Sequence, residues 1–148
     1  MKILFIVPPN IGFQDFISPP ANVKVQQHRG RAFGSVITDM PLGIISLSAY
    51  LKKHMEIDTR AIDFNVALNK LDTFEWPSFR EYFRAVLQEE IAHTRPDVVG
   101  ISALFSTAFH SLIDLGEVAR ELLPEAFVIA GGNVPTVSYR DIFQHTAV

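Results

Sequence analysis

The sequence contains no cysteine at all. That absence excludes a disulfide framework, a thiolate metal site and a cysteine nucleophile. An excess of positive charge is missing too: 13 Lys and Arg stand against 16 Asp and Glu, for a formal net charge of -3. Without a basic field to meet phosphates, no nucleic-acid partner is expected. Long hydrophobic runs are also lacking. The opening MKILFIVPPN has one basic residue and an apolar run only from Ile3 to Val7, too short for a signal peptide or a membrane span. No membrane partner is expected, and the location is read as cytoplasmic. Neither G-x-G-x-x-G nor G-x-x-x-x-G-K-[ST] follows that first run, so the dinucleotide fingerprint and the P-loop are both excluded. Internal repeats and low-complexity tracts are absent as well.

What is present is a chain of 148 residues, 48% of them hydrophobic, the size of one compact domain burying about two-thirds of its unfolded surface. KILFIV (residues 2–7) is β-branched and aromatic without alternation, as in a strand covered on both faces, and Pro8 and Pro9 end it. From Asn10 to Met40 no period is sustained, and Gly12, Pro19, Pro20 and Gly30 interrupt the segment. A loop of about thirty residues is long for a compact domain, and such loops are functional or disordered. PLGIISLSAYLKKH (41–54) reads as a helix with Pro41 at its first position and Lys52, Lys53 and His54 at its negative end. Apolar residues lie nearly all round it, which predicts burial between the sheet and another layer.

IDTRAIDF reads as the second strand, with Asp63 at its carboxyl end. In SFREYFRAVLQEEIAHTR (78–95), Phe79, Phe83, Val86, Leu87 and Ile91 form one stripe, Ser78 is a cap and Pro96 a stop. DVVGISAL is the third strand, and Ala108, Leu112, Leu115, Ala119 and Leu122 mark the inward stripe of the helix after it. AFVIAGG is the fourth, closed by Gly131 and Gly132, and a last short helix is expected from near Pro135 to about His145. Strand and helix in alternation imply parallel strands joined by crossovers, a doubly wound α/β fold of Rossmann or flavodoxin-like type. The chain closes on FQHTAV straight after a helix, where such a domain continues into another strand. It is therefore read as one domain, residues 1–148, cut before its last strand.

Ligands of open α/β sheets sit beyond the carboxyl ends of the strands, where strand order reverses. The residues expected there are Pro8–Asn10, Asp63–Asn65, Ser102–Thr107 and Gly131–Asn133. A hydroxyl at a strand end can serve locally, bonding a carbonyl or starting a helix. Glycine at a βα turn can likewise serve only the turn. Together, small residues at two neighbouring strand ends would open a slot into the sheet edge.

SAL at 102–104, followed after 26 residues by GG at 131–132, resembles the S-x-L and G-G signature of cobalamin (vitamin B12)-binding domains. PPN after the first strand, PLGIISLSAYLKKH and AGGNVPT are similar to the cobalamin-binding domain at the N-terminus of radical SAM enzymes, among them methyltransferases and the Mg-protoporphyrin monomethyl ester oxidative cyclases. The resemblance covers the chain except for the stretch between Phe64 and Thr94. It implies a cofactor site made of Pro9, Asn10, Ser102, Ala103, Leu104, Ser106, Thr107, Gly131, Gly132 and Asn133. In that family the serine hydroxyl holds the cofactor's dimethylbenzimidazole, and the glycines let the nucleotide tail pass the backbone.

Many members carry D-x-H-x-x-G after the first strand, whose histidine binds cobalt from below; this chain has PPNIGFQDF there. The resemblance thus implies base-off cobalamin with cobalt's lower face left to water, to Asn10 or Phe13, or to nothing, and assigns no protein metal ligand. His28 is the only histidine before the first helix, and a loop histidine is more often solvated. His93 and His110 read as surface or dipole-related, and Asp63 as an exposed strand-end carboxylate. Phe13, Phe16 and Phe33 suit either a lid over the corrin or ordinary core. No catalytic residue is assigned. The chemistry, with SAM and a [4Fe-4S] cluster, is expected in a radical SAM domain of the same polypeptide, downstream of this stretch. A degenerate domain that has lost its cofactor and serves as a scaffold is the alternative; a receiver domain is disfavoured, because FIVPPN lacks its acidic cluster.

Overall fold

The computed structural model of the chain describes residues 1–21, 25–28 and 31–145. Strands β1 (Lys2–Val7), β4 (Asp58–Asp63), β5 (Val98–Ser102) and β6 (Phe127–Gly131) form a parallel sheet in the order β4-β1-β5-β6. The sheet follows the expected α/β plan. Chain direction across it reverses at β1, which has β4 on one side and β5 on the other, so the crevice of the switch point opens between the ends of β1 and β5.

Side chains alternate across each strand and feed two unequal layers. Leu4 and Ile6 of β1 and Val99 and Ile101 of β5 belong to the main core. Helices α3 (Phe64–Asn69), α4 (Phe79–Thr94) and α5 (Phe109–Leu122) close that face with Phe64, Phe83, Leu87, Leu112 and Leu115, all buried. Ile3, Phe5 and Val98 point the other way, where α2 (Leu42–His54) covers them mainly through Ile44. Ser78 caps α4 by accepting from the Glu81 N–H at 3.2 Å, as its place before the apolar stripe suggests. Helix α6 (Asn133–His145) begins two residues before the expected Pro135 and bends at Ser138.

Two expectations need correction. The segment from Asn10 to Met40 is not one irregular loop. It contains α1 (Phe13–Ile17) and an antiparallel hairpin of β2 (Val25–His28) and β3 (Arg31–Gly34). Phe16 stacks on Phe33 with centroids 5.3 Å apart and meets Phe74 and Phe79 edge-on or tilted, so these aromatic side chains anchor the segment to α4. The lid alternative for Phe16 and Phe33 fails on the same ground, since both are buried in the main core.

Helix α2, expected between two layers, has one. Nothing among the described residues packs on its outer side, and Leu42 and Tyr50 are each 63% exposed. Its apolar circumference therefore does not report burial. No helix of the described residues is long and apolar enough to cross a membrane.

Candidate functional site

The carboxyl ends of β1, β4, β5 and β6 meet as the sequence suggests, and side chains tie them together. Asp63 ends β4 and caps α3, accepting from the N–H groups of Asn65 at 2.9 Å and Val66 at 3.4 Å. It is a cap rather than the exposed carboxylate expected, because the chain turns directly from strand to helix there. Asn65, 1% exposed, accepts from the Asn10 N–H at 2.7 Å and donates through Nδ2 to the Pro8 carbonyl at 3.1 Å. Thr107 Oγ1 donates to the Asn10 carbonyl at 3.0 Å.

At the other side of the switch point, Ser102 pairs in register with Gly131. The Ala103 N–H continues the ladder to the Gly131 carbonyl at 2.9 Å, and the Val134 N–H reaches the Ala103 carbonyl at 3.1 Å. By strand alternation Val98, Gly100 and Ser102 share the α2 face, while Ala103 turns its methyl into the main core. The Ser102 hydroxyl has no hydrogen-bond partner among the described residues. The local use that a strand-end serine often finds is not made here.

Ser102 stands at the mouth of an apolar groove of about 420 Å³ between α2 and strands β1, β5 and β6. Phe5, Leu47, Leu51 and Ile129 wall it, and Gly43, Gly100, Gly131 and Gly132 supply backbone without side chain. A methyl group built on Gly131 or Gly43 would meet nothing within 4 Å, so the space beside both is open. Gly132 is different: its φ is 96°, and a Cβ there would lie 2.5 Å from the Ala103 carbonyl oxygen. An adjoining cavity of about 300 Å³ shares Gly43, Ile44, Ser102 and Leu104 with the groove and adds Asn10, Asp39, Leu42 and Phe105.

Of the expected site residues, Asn10, Ser102, Leu104, Gly131 and Gly132 line these two cavities. Pro9 is buried behind the turn, Thr107 acts on the backbone of Asn10, and Ser106 and Asn133 are exposed and line neither cavity. The residue that sequence reasoning passed over is Gly43, while Asn65, expected only within the Asp63–Asn65 strand end, is the one that pins the turn after β1. Glycine in the first turn of an apolar helix is the signal that would have found Gly43. His28 lies in β2, and its side chain is outside the described residues. His93 sits in the last turn of α4, and His110 is exposed on α5. Among the described residues, no group of three or more His, Cys, Asp and Glu is placed to hold a metal ion.

No curated protein and no solved structure matches the chain. A family model does match, over residues 39–148, which span α2, three of the four parallel strands, β4, β5 and β6, and every wall of the groove except those from β1. The chain belongs to the B12-binding domain family.

Proposed function

We propose that the chain binds cobalamin base-off, with the nucleotide tail in the groove beside α2, and presents cobalt to a radical SAM domain of the same polypeptide. The observation that carries this reading is the unpartnered Ser102 hydroxyl at the mouth of an apolar, glycine-floored groove. The residues fit such a cofactor. A flat heteroaromatic base needs apolar walls, here Phe5, Leu47, Leu51 and Ile129, and one polar group to orient it. Ser102 supplies that group, as donor or acceptor. Gly131 and Gly43 leave the width.

When bound, cobalamin supplies a cobalt centre able to carry a methyl group or change redox state. This chain orients the tail, shields it from water and sets the corrin over the switch point. Asn10 and Leu104 border that place, Thr107 and Ala103 fix the turn after β1 and the β5–β6 junction, and Pro9, Ser106 and Asn133, which line neither cavity, are assigned to the cofactor by the resemblance alone. Leu104 and Phe105 are 56% and 46% exposed at the same end, an apolar rim suited to the docking of the partner domain. Cysteines for a [4Fe-4S] cluster, and the SAM site, fall to that domain.

Mixing the protein with hydroxocobalamin, desalting it and recording the absorption spectrum tests the reading. Retained corrin of base-off type, lost in Ser102→Phe, is the expected result. A colourless wild-type protein would sink it and favour the alternative, a cobalamin-type domain used as a scaffold.

A further inference from the structure

The turn after β1 cannot hold itself. Pro8 and Pro9 have no N–H, so Asn10 carries the first backbone donor beyond the strand. That donor goes to Asn65 Oδ1 at 2.7 Å, and the Asn10 carbonyl receives Thr107 Oγ1 at 3.0 Å. Asn65 follows β4 and Thr107 follows β5, the two strands that flank β1, so the turn is tied from both sides across the switch point. Asp63 sets the direction of the Asn65 amide. Its carboxylate only accepts, and with the Pro8 carbonyl it takes the two Nδ2 contacts, at 3.0 and 3.1 Å, which leaves Oδ1 for Asn10. With both backbone groups engaged, the Asn10 side chain has no partner among the described residues and lies on the cavity it shares with Ser102 and Leu104.

We infer that Asn65 and Thr107 are positioning residues for cobalamin: they hold the Pro8–Asn10 turn in its binding shape before the cofactor arrives. The inference rests on the cobalamin reading above. A buried asparagine is costly unless every polar atom is paired, and here each partner lies on the turn or orients the amide toward it. Fixing the turn in advance removes an ordering cost from binding.

The test uses Asn65→Ala, Thr107→Val and their double variant, with Leu87→Ala in α4 as a core control remote from the turn. Hydroxocobalamin affinity is read by absorbance titration, and stability by thermal melting. Asn65→Ala, which removes the bonds to both Asn10 and Pro8, is expected to weaken binding about tenfold, and Thr107→Val, whose bond is exposed, about threefold. The double variant is expected to lose less than the product of the two, because both ties hold the same residue. Leu87→Ala is expected to lower the melting temperature and keep the affinity. Thr107 is exposed, so its variant carries the test should Asn65→Ala fail to fold. Wild-type affinity in both single variants, or an equal loss in the Leu87 control, overturns the inference alone. A wild-type chain that binds no cobalamin overturns the cofactor reading and this inference with it.

Discussion

At the scale of single residues, the two adjacent glycines at the end of β6 do different work. Gly131 has open space where a side chain would begin, whereas Gly132 has a positive φ and the Ala103 carbonyl against its α-carbon. Gly131→Leu should therefore leave unfolding free energy within about 1 kcal/mol of wild type, as surface changes do, yet abolish cobalamin retention by filling the groove. Gly132→Ala should behave in the opposite order. Its strained φ and the close carbonyl should cost about 1–3 kcal/mol or more, measured by urea unfolding, before binding is considered. Equal stability losses in the two variants would remove the distinction. The sequence shows only a G-G pair, and which glycine opens the groove and which makes the turn depends on the register of β6 against β5. Asn65 illustrates the same limit: its identity is plain in the sequence, but its reach to Pro8 and Asn10, over fifty residues away, is a tertiary fact.

At the scale of elements, the long and strongly patterned ones were legible, and the short ones were not. β1 and β6 are apolar runs closed by breakers, β5 is an apolar run that ends on Ser102, and the stripe of α4 buries Phe79, Phe83 and Leu87 as its period requires. Helices α1 and α3 have five and six residues, too short to be stable by local propensity. They form because Phe13, Phe16 and Phe64 enter a ring cluster with Phe74, Phe79, Tyr82 and Phe83, and no local period announces such a cluster. Tyr82 gives that cluster a pH signature. Burial pushes its phenol up to about 12 from 10.0, because the charged form is desolvated. A group whose folded pKa is raised stabilises fully below the unfolded value and loses that contribution as pH rises through the folded one. Stability should thus fall between about pH 10 and 12, and Tyr82→Phe should flatten that part of the profile in urea titrations. An unchanged slope in the variant would assign the alkaline loss elsewhere. Between α4 and α5, Arg80 pairs with Glu117, with Glu121 at 2.6 Å and with Asp114 at 3.7 Å, and Arg84 also reaches Glu121. These side chains are about a third exposed, so Arg80→Ala should cost about 1 kcal/mol or less, and the difference should shrink in high salt.

At the scale of the whole molecule, the groove belongs to no single segment. Its floor comes from β1, β5 and β6 and its wall from α2, elements spread from residue 3 to residue 132. An unfolded chain has no such groove, so cobalamin should bind the native state alone and stabilise it by mass action. At a free concentration about a hundredfold above Kd, the gain is about 2.7 kcal/mol, which for a domain of this length raises the melting temperature by roughly 5–10 °C. The unequal layers give a reason to expect the full effect. The α2 face is thinly covered, with Ile44 the one buried residue of α2, and Ile129 of β6 stays 48% exposed beside it. A ligand lying along the groove would cover apolar surface that the fold itself leaves wet. Ser102→Phe places a ring where the tail should enter and should melt at the same temperature with or without hydroxocobalamin. If wild type and Ser102→Phe rise together, the stabilisation comes from another surface, and the groove beside α2 is not the cofactor's seat.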